Sequence, residues 1–292
     1  MKIQASGSVV RLALLSLAVA ALIAGCGRPM EQDARGERVL AKARTEATAV
    51  LDKSRVFFAH QSVGENIVEG LTALEKDKGV QGLKIVEQAT AVADGAFFAH
   101  AKIGRNGDPK GKTDAFLAAL EGGLGDRLDI AFQKYCFVDI DAQTNVEDLF
   151  GYYREAMARV RREFPRLRLV HVTTPLVHVQ TGPRALVKRL MGRVPDHYED
   201  NLARERFSAL MRREYGGREP VFDLAMIEAS RPGSRPEAIQ FRGAQVFELL
   251  PEYTTDGAHL NGPAEERVAT ELLLFLGRVM AESGDQTRAA AR

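Results

Sequence analysis

The sequence predicts an α/β protein: a three-layer α/β/α sandwich around a mostly parallel, five-stranded sheet. Three observations lead there. Short runs rich in Val, Ile and Phe alternate with longer stretches of helical periodicity. Several of the short runs are apolar almost throughout, as strands covered on both faces are. Strand–helix alternation also calls for crossover connections, which pair strands in parallel.

The chain begins outside that pattern. Lys2 and Arg11 are the only charges before Cys26, and Leu12 to Ala24 is apolar except for Ser16. A charged start followed by a short apolar run is the layout of a secretory signal. Thirteen residues of helix reach about 20 Å, short of the ~30 Å hydrocarbon core of a bilayer. The run ends in Leu22-Ile23-Ala24-Gly25-Cys26, which resembles a bacterial lipobox. The resemblance implies cleavage before Cys26, acylation of its thiol, and a periplasmic, lipid-anchored protein of the cell envelope. Gly27 rather than Asp after the cysteine suits outer-membrane sorting in a Gram-negative host.

If Cys26 carries lipid, Cys136 has no partner within the chain, so no disulfide framework is expected. Loss of residues 1–25 removes two positive charges and turns the formal net charge from +1 to −1. That balance argues against nucleic acid as a partner and offers no basic patch for anionic lipid. Residues 26–37 read as the lipidated cysteine and a polar tether, 38–282 as one large domain, and 283–292 as a disordered tail.

Within the domain, strands are expected at Arg55–His60, Leu83–Gln88, Leu128–Phe137, Leu167–Thr173 and Pro220–Met226. Helices are expected at Arg38–Leu51, Val63–Lys76, Thr113–Leu120, Val146–Phe164, Tyr198–Tyr215 and Ala264–Ala281. In Val146–Phe164 the residues Leu149, Tyr153, Met157 and Val160 recur at helical spacing. In such sheets the site lies beyond the carboxyl ends of the strands, which directs attention to three places.

Ser62 follows the first strand, where the chain turns into a helix. It can be a nucleophile, its backbone N–H and the helix dipole facing a developing oxyanion. With Glu65 three residues on it can equally be a capping box. Near the C-terminus, Asp256 and His259 stand three apart. The carboxylate can fix the imidazole and stabilise its protonated form; alternatively this is a Asp-Gly turn with Asn261 capping the last helix. Between them, Gly104-Arg105-Asn106-Gly107 can bring a backbone N–H close to a substrate, or can be a surface turn.

Together the three resemble the SGNH (GDSL-type) hydrolase superfamily, over roughly residues 55–281. The resemblance implies a flavodoxin-like fold, with Ser62 as nucleophile, His259 as general base and Asp256 orienting it. The N–H groups of Ser62 and of Gly104 or Gly107 would bind the oxyanion. Two blocks depart from the family pattern. Its Gly-Asp-Ser reads His60-Gln61-Ser62 here, and its Gly-x-Asn-Asp reads Lys134-Tyr135-Cys136-Phe137-Val138-Asp139, without Asn. Asn106 or Lys134 is left to supply that donor. No Gly-x-Ser-x-Gly elbow is present, which counts against an α/β-hydrolase.

The implied activity is serine-dependent removal of O-acyl groups, acetyl foremost, from an envelope carbohydrate or lipid. A non-catalytic glycan-binding protein and an O-acyltransferase are the alternatives, and the oligomeric state stays open. His171 reads as a core residue; His100, His178 and His197 sit in loops or at element ends. No His pair has zinc spacing, so no metal and no cofactor are expected. Cys136 reads as a small buried hydrophobe.

Overall fold

The computed structural model describes residues 28–77, 80, 82–88 and 95–290, with side chains at 36–76, 80, 82–88 and 95–282. Residues 1–25 and Cys26, with the signal and lipidation they were read to carry, lie outside the described residues. The chain divides into two compact units, 1–43 and 44–292. What is described of the first is the start of helix α1 (Arg28–Leu51), so the stretch read as a tether is helical from Arg28. Among the described residues no helix is long and apolar enough to cross a membrane.

The second unit is built on strands β1 (Arg55–His60), β2 (Ile85–Glu87), β3 (Phe97–Lys102), β4 (Ile130–Gln133), β5 (Arg168–Val172) and β6 (Val221–Phe222). They form one sheet in the order β2-β3-β1-β4-β5-β6, every pair parallel. Without the short edge strand β2, the remaining five follow the 2-1-3-4-5 order of flavodoxin-like sheets. The sheet thus has six strands, not five.

Alternation along β1 assigns the two layers, because successive side chains of a strand point to opposite faces. Val56 and Phe58 join one core with α2 (Ser62–Asp77) and α8 (Gly262–Ala290), through Ile67, Leu71, Val268 and Leu272. Phe57 and Ala59 join the other with α3 (Pro109–Ala119), α4 (Val146–Glu163) and α6 (Tyr198–Tyr215), through Phe116, Tyr153 and Phe207. Between α4 and α6, His171 is a satisfied core residue. Its ring accepts or donates at Tyr153 (2.8 Å) and Glu219 (3.1 Å) and stacks on Tyr215.

Several expected elements are shorter or new. The run Leu128–Phe137 is a strand only over Ile130–Gln133, since Phe137–Asp139 closes a tight 3-10 turn. Pro220–Met226 gives two strand residues and then helix α7 (Leu224–Glu228). Helix α3 starts earlier than Thr113, at Pro109, because the Asp108 side chain accepts the Gly111 N–H at 2.9 Å. Helix α5 (Gly182–Leu190) and the antiparallel hairpin β7 (Ala238–Phe241) to β8 (Ala244–Phe247) were not anticipated. Helix α8 continues to Ala290, so the segment read as a disordered tail is helical through that residue.

Helices α2 and α8 lie unusually close. A Cβ at Gly70 would collide with the Glu265 carbonyl and the Ala269 side chain. One turn closer to Ser62, Asn66 Nδ2 donates to Glu265 Oε1 at 2.7 Å. Gly70→Val is expected to destabilise the protein by about 1–3 kcal/mol, since overpacking forces the helices apart. Gly151 lies in α4 with open space around it, so Gly151→Ala should instead stabilise by roughly 0.5–1 kcal/mol. Urea melts of both variants check the contrast, and equal effects would remove the packing argument.

Candidate active site

The parallel register carries three loops to one edge. His60 pairs with Lys102 and Ala59 with Gln133. Two residues beyond β1 and β3 stand Ser62 and Gly104; three beyond β4 stands Cys136. Here the chain order changes direction, from β1 outward to β3 on one side and back to β4 on the other. Such a switch point opens a crevice at the carboxyl end of the sheet.

Ser62 opens α2 and is half-buried. The cap of that helix comes from Gln61, whose carbonyl accepts the N–H groups of Gly64 (2.7 Å) and Glu65 (3.2 Å). Glu65 pairs with Lys102 at 3.1 Å. Ser62 is therefore not used as a capping box. Its Oγ lies 3.5 Å from Cys136 Sγ.

Asp256 and His259 lie in the loop before α8. Asp256 Oδ2 is 2.7 Å from His259 Nδ1, and Asp256 Oδ1 accepts the N–H groups of Ala258 and His259, each at 2.8 Å. Burial works to raise this carboxyl, but the bonds from His259 N–H, its ring and Ala258 N–H outweigh that and hold it well below the usual carboxylate range. An ionised carboxylate only accepts, so the proton of a neutral imidazole sits on Nδ1 and Nε2 keeps a lone pair. The loop is pinned by the His178 N–H on the Gly257 carbonyl at 2.8 Å. The His259 ring meets the edge of Phe137, centroids 5.4 Å apart. Ser62 thus touches Cys136 and His259 touches Phe137, so nucleophile candidate and dyad converge on one dipeptide at the end of β4. The Ser62 hydroxyl has the Cys136 sulfur as its partner, not the imidazole.

The oxyanion candidates separate. The Gly107 N–H donates to Asp139 Oδ1 at 2.8 Å, so it is already engaged. Gly104 has φ +66° and lies against the backbone of Lys112, where a Cβ would collide. Its carbonyl, with that of Ile103, receives the Gln61 amide, which ties this loop to the residue before Ser62. Asn106 is exposed, and its Oδ1 accepts Lys112 Nζ at 2.9 Å, leaving Nδ2 as its donor. Lys134 is buried, with Nζ on the Tyr135 carbonyl at 3.3 Å and burial lowering its pKa. It is held inside the protein, whereas Asn106 stands exposed on the loop that the Gln61 amide ties down.

Residues that were not singled out hold the site together. Asp139 accepts Gly107 N–H, Cys136 N–H (2.6 Å) and Lys112 Nζ (2.5 Å), with its side chain fully shielded. The Cys136–Asp139 spacing of three was the one local hint of it. Beside Asp256 opens a cleft of about 910 Å³, walled by Phe137, Val138, Val177, Val179 and Arg184. His178 reaches its wall, with Nδ1 2.8 Å from Glu248 Oε2 but not aligned for a hydrogen bond. His197 lies in the same cleft beside Asp200. A second concavity of about 450 Å³, lined by Arg161, Arg168 and Glu219, lies at the amino end of β5, away from the dyad.

His60, Glu65 and His100 bring ligand-type atoms within 4.8 Å of one another, a group that spacing along the chain could not reveal. His100 is on β3 rather than in a loop. The three are already partnered. His60 Nε2 faces His100 Nδ1 at 3.0 Å, His60 Nδ1 faces the Gln61 carbonyl at 3.2 Å, and Lys102 sits on Glu65. The one carboxylate of the group therefore has its cation.

No family model matches the chain, and no curated protein does. Solved structures similar to it include a platelet activating factor structure from Streptococcus pneumonia, 16% identical over 89% of this chain and 99% of that one, TM-score 0.45. A lipase/acylhydrolase from Enterococcus faecalis is 13% identical over 76% and 95%, TM-score 0.43. The periplasmic domain of a Salmonella ser. Paratyphi A lipopolysaccharide acetyltransferase is 9% identical over 75% and 82%, TM-score 0.42. These likenesses are distant, and the chemistry of the site stands on the residues above.

Asp139→Ala leaves the Lys112 ammonium buried without its carboxylate. A loss of about 3–5 kcal/mol is expected, with urea melts as the measure; a loss below that of an ordinary surface substitution would contradict it. A second expectation concerns pH. Burial pushes His60 down to about 3 from 6.5, so between those values the unfolded chain binds the extra proton and stability falls on acidification. Glu228 works the other way. Burial raises it to about 8 from 4.5, so stability rises as pH falls through that window. Comparison with His60→Gln isolates the first group. The stability advantage of the wild type should shrink by up to about 2 kcal/mol from pH 6.5 to 5, and a pH-independent difference would reject this account.

Proposed function

We propose that the chain is a serine-dependent acyl-ester hydrolase of SGNH type, with Ser62 as nucleophile, His259 as base and Asp256 as its orienter. One observation carries the reading: an ionised Asp256 fixes Nδ1 of His259, and that ring and Ser62 meet at Cys136–Phe137 on the carboxyl edge of the sheet. The free Nε2 takes the Ser62 proton as Oγ attacks the ester carbonyl carbon. The oxyanion is received by the N–H of Ser62 at the start of α2, with Gly104 N–H and Asn106 Nδ2 as further donors. Collapse expels the alcohol, which takes the proton from His259. Water then attacks the acyl-enzyme and loses its proton to His259; the acyl–Oγ bond breaks, Ser62 Oγ takes that proton back from His259, and the acid leaves.

The substrates we propose are O-acyl groups, acetyl among them, on a carbohydrate or lipid of the cell envelope, with the chain held there by acylated Cys26. A non-catalytic binding protein is the second reading. What favours it is that the Ser62 hydroxyl rests on Cys136 sulfur rather than on His259. An acyltransferase would use the same three residues with a sugar hydroxyl in place of water.

The full chain should hydrolyse an acetyl or short-chain aryl ester. Ser62→Ala should lower turnover by more than about 1000-fold, and Asp256→Asn by roughly 100- to 10,000-fold. A fluorophosphonate should label Ser62 in the wild type. Absence of both label and turnover would favour the binding protein; a label with slow hydrolysis that a sugar acceptor accelerates would favour the transferase.

A further inference from the structure

Large apolar side chains that stay exposed are few among the described residues, and they are not scattered. Of Val39, Val138, Leu186, Val187, Leu190 and Met191, four fall between positions 186 and 191, on α5 and its last turn, with 54 to 79% of their surface open. A monomeric surface rarely keeps such a patch without a use.

The geometry of the helix makes the patch directional. At about 100° per residue, Leu186, Leu190, Val187 and Met191 span an arc of roughly 140° whose centre is nearly opposite Ala185. Ala185 is the buried side chain of this helix. The apolar stripe therefore points straight away from the protein. Arg189 borders it on one side, and Arg184 and Lys188 on the other. The run 182–195 (GPRALVKRLMGRVP) holds four cations and no acidic residue. Lys188 reaches Asp196 at 2.6 Å and Arg189 reaches the Tyr198 hydroxyl at 2.9 Å, while Arg184 and Arg193 complete the cationic border. The near-neutral balance of the whole chain hides this local excess.

We propose that α5 docks on the surface of an anionic lipid bilayer. An apolar stripe between cations is what enters the headgroup region, where the stripe meets acyl chains and the cations meet phosphates. A second copy fits worse, because self-pairing about a two-fold axis would set these cations against their own images. The same segment walls the cleft beside Asp256 through Thr181, Pro183 and Arg184. Docking therefore sets that cleft against the lipid, and the ester is taken from an amphiphile lying in the surface. This last step rests on the acyl-ester reading; the docking does not.

The test uses the full chain with Cys26→Ser and Leu190→Cys, labelled at position 190 with an environment-sensitive fluorophore. Cys136 is buried and does not compete for the label. With phosphatidylglycerol/phosphatidylcholine vesicles, emission should shift to the blue and be quenched by nitroxide-bearing lipid. With phosphatidylcholine alone the response should be weak, and a label at Glu155 on α4 should not respond, even if the apolar N-terminus inserts. Arg184→Glu with Arg193→Glu should weaken vesicle binding by at least about tenfold. Ser62→Ala should dock normally, so loss of turnover and loss of docking are read separately. An unchanged spectrum at position 190 with anionic vesicles would overturn the proposal. So would a blue shift that grows with protein concentration in the absence of lipid.

Discussion

The active-edge geometry depends first on how closely α2 lies against α8. Ser62 is the first residue of α2, and His259 stands three residues before α8. Almost 200 residues separate them in sequence, so neither local structure nor the loops can set their distance. The two helices do. Gly70 removes the side chain that would keep them apart, and the Asn66–Glu265 bond fixes their relative height one turn from their amino ends. Close packing without a Cβ also admits little sliding, because interiors are as dense as organic crystals. Two helix starts held side by side then bring the N-terminal Ser62 against Cys136 and the pre-helix His259 against Phe137.

A second constraint acts across the sheet. Asp139 gathers donors from the loop after β3 (Gly107), from α3 (Lys112) and from the end of β4 (Cys136). Arg204 of α6 clamps the same turn from behind, donating to the carbonyls of Phe137 and Ile140. Charge-assisted bonds in a shielded setting are worth more than neutral ones, about 1.5–3 kcal/mol each. Their cost is that each partner must stay. This explains why Gly107, whose flexibility suited an oxyanion donor, serves instead as scaffold. Its N–H holds the loop whose Gly104 carbonyl receives the Gln61 amide.

How much of this was legible follows from the range of each interaction. Strand β1 and helices α2, α4 and α6 were legible because their apolar periods are local. Asp256 and His259 were too, since three residues suffice to bring carboxylate and ring together. Strand β3 was not. Phe97-Phe98-Ala99-His100-Ala101-Lys102 loses its apolar pattern at His100, whose partner is His60, forty residues earlier. Asp139 was hidden for the same reason, its donors lying as far as 32 positions away. Lys134 looked available at a strand end, but burial of its ammonium is a property of the packed sheet. Helix α5 escaped because its apolar face covers no core, and a period is read most easily where burial explains it.

The resting position of Ser62, although it is the feature that favours a binding protein, is also compatible with a nucleophile. At 3.5 Å from Cys136 its hydroxyl has a weak partner, since sulfur is a poor donor and a poor acceptor. A carboxylate or carbonyl there would trap the proton that the proposed reaction moves. The serine side chain has staggered wells about 120° apart, and leaving the sulfur for another well forfeits little. His259 stands on the far side of the residue next to that cysteine, its Nε2 uncommitted because Asp256 occupies Nδ1. Catalytic hydrogen bonds are often long before substrate arrives and tighten around it. A buried thiol beside the half-buried hydroxyl thus gives Ser62 a low-commitment rest site, which a capping serine would lack.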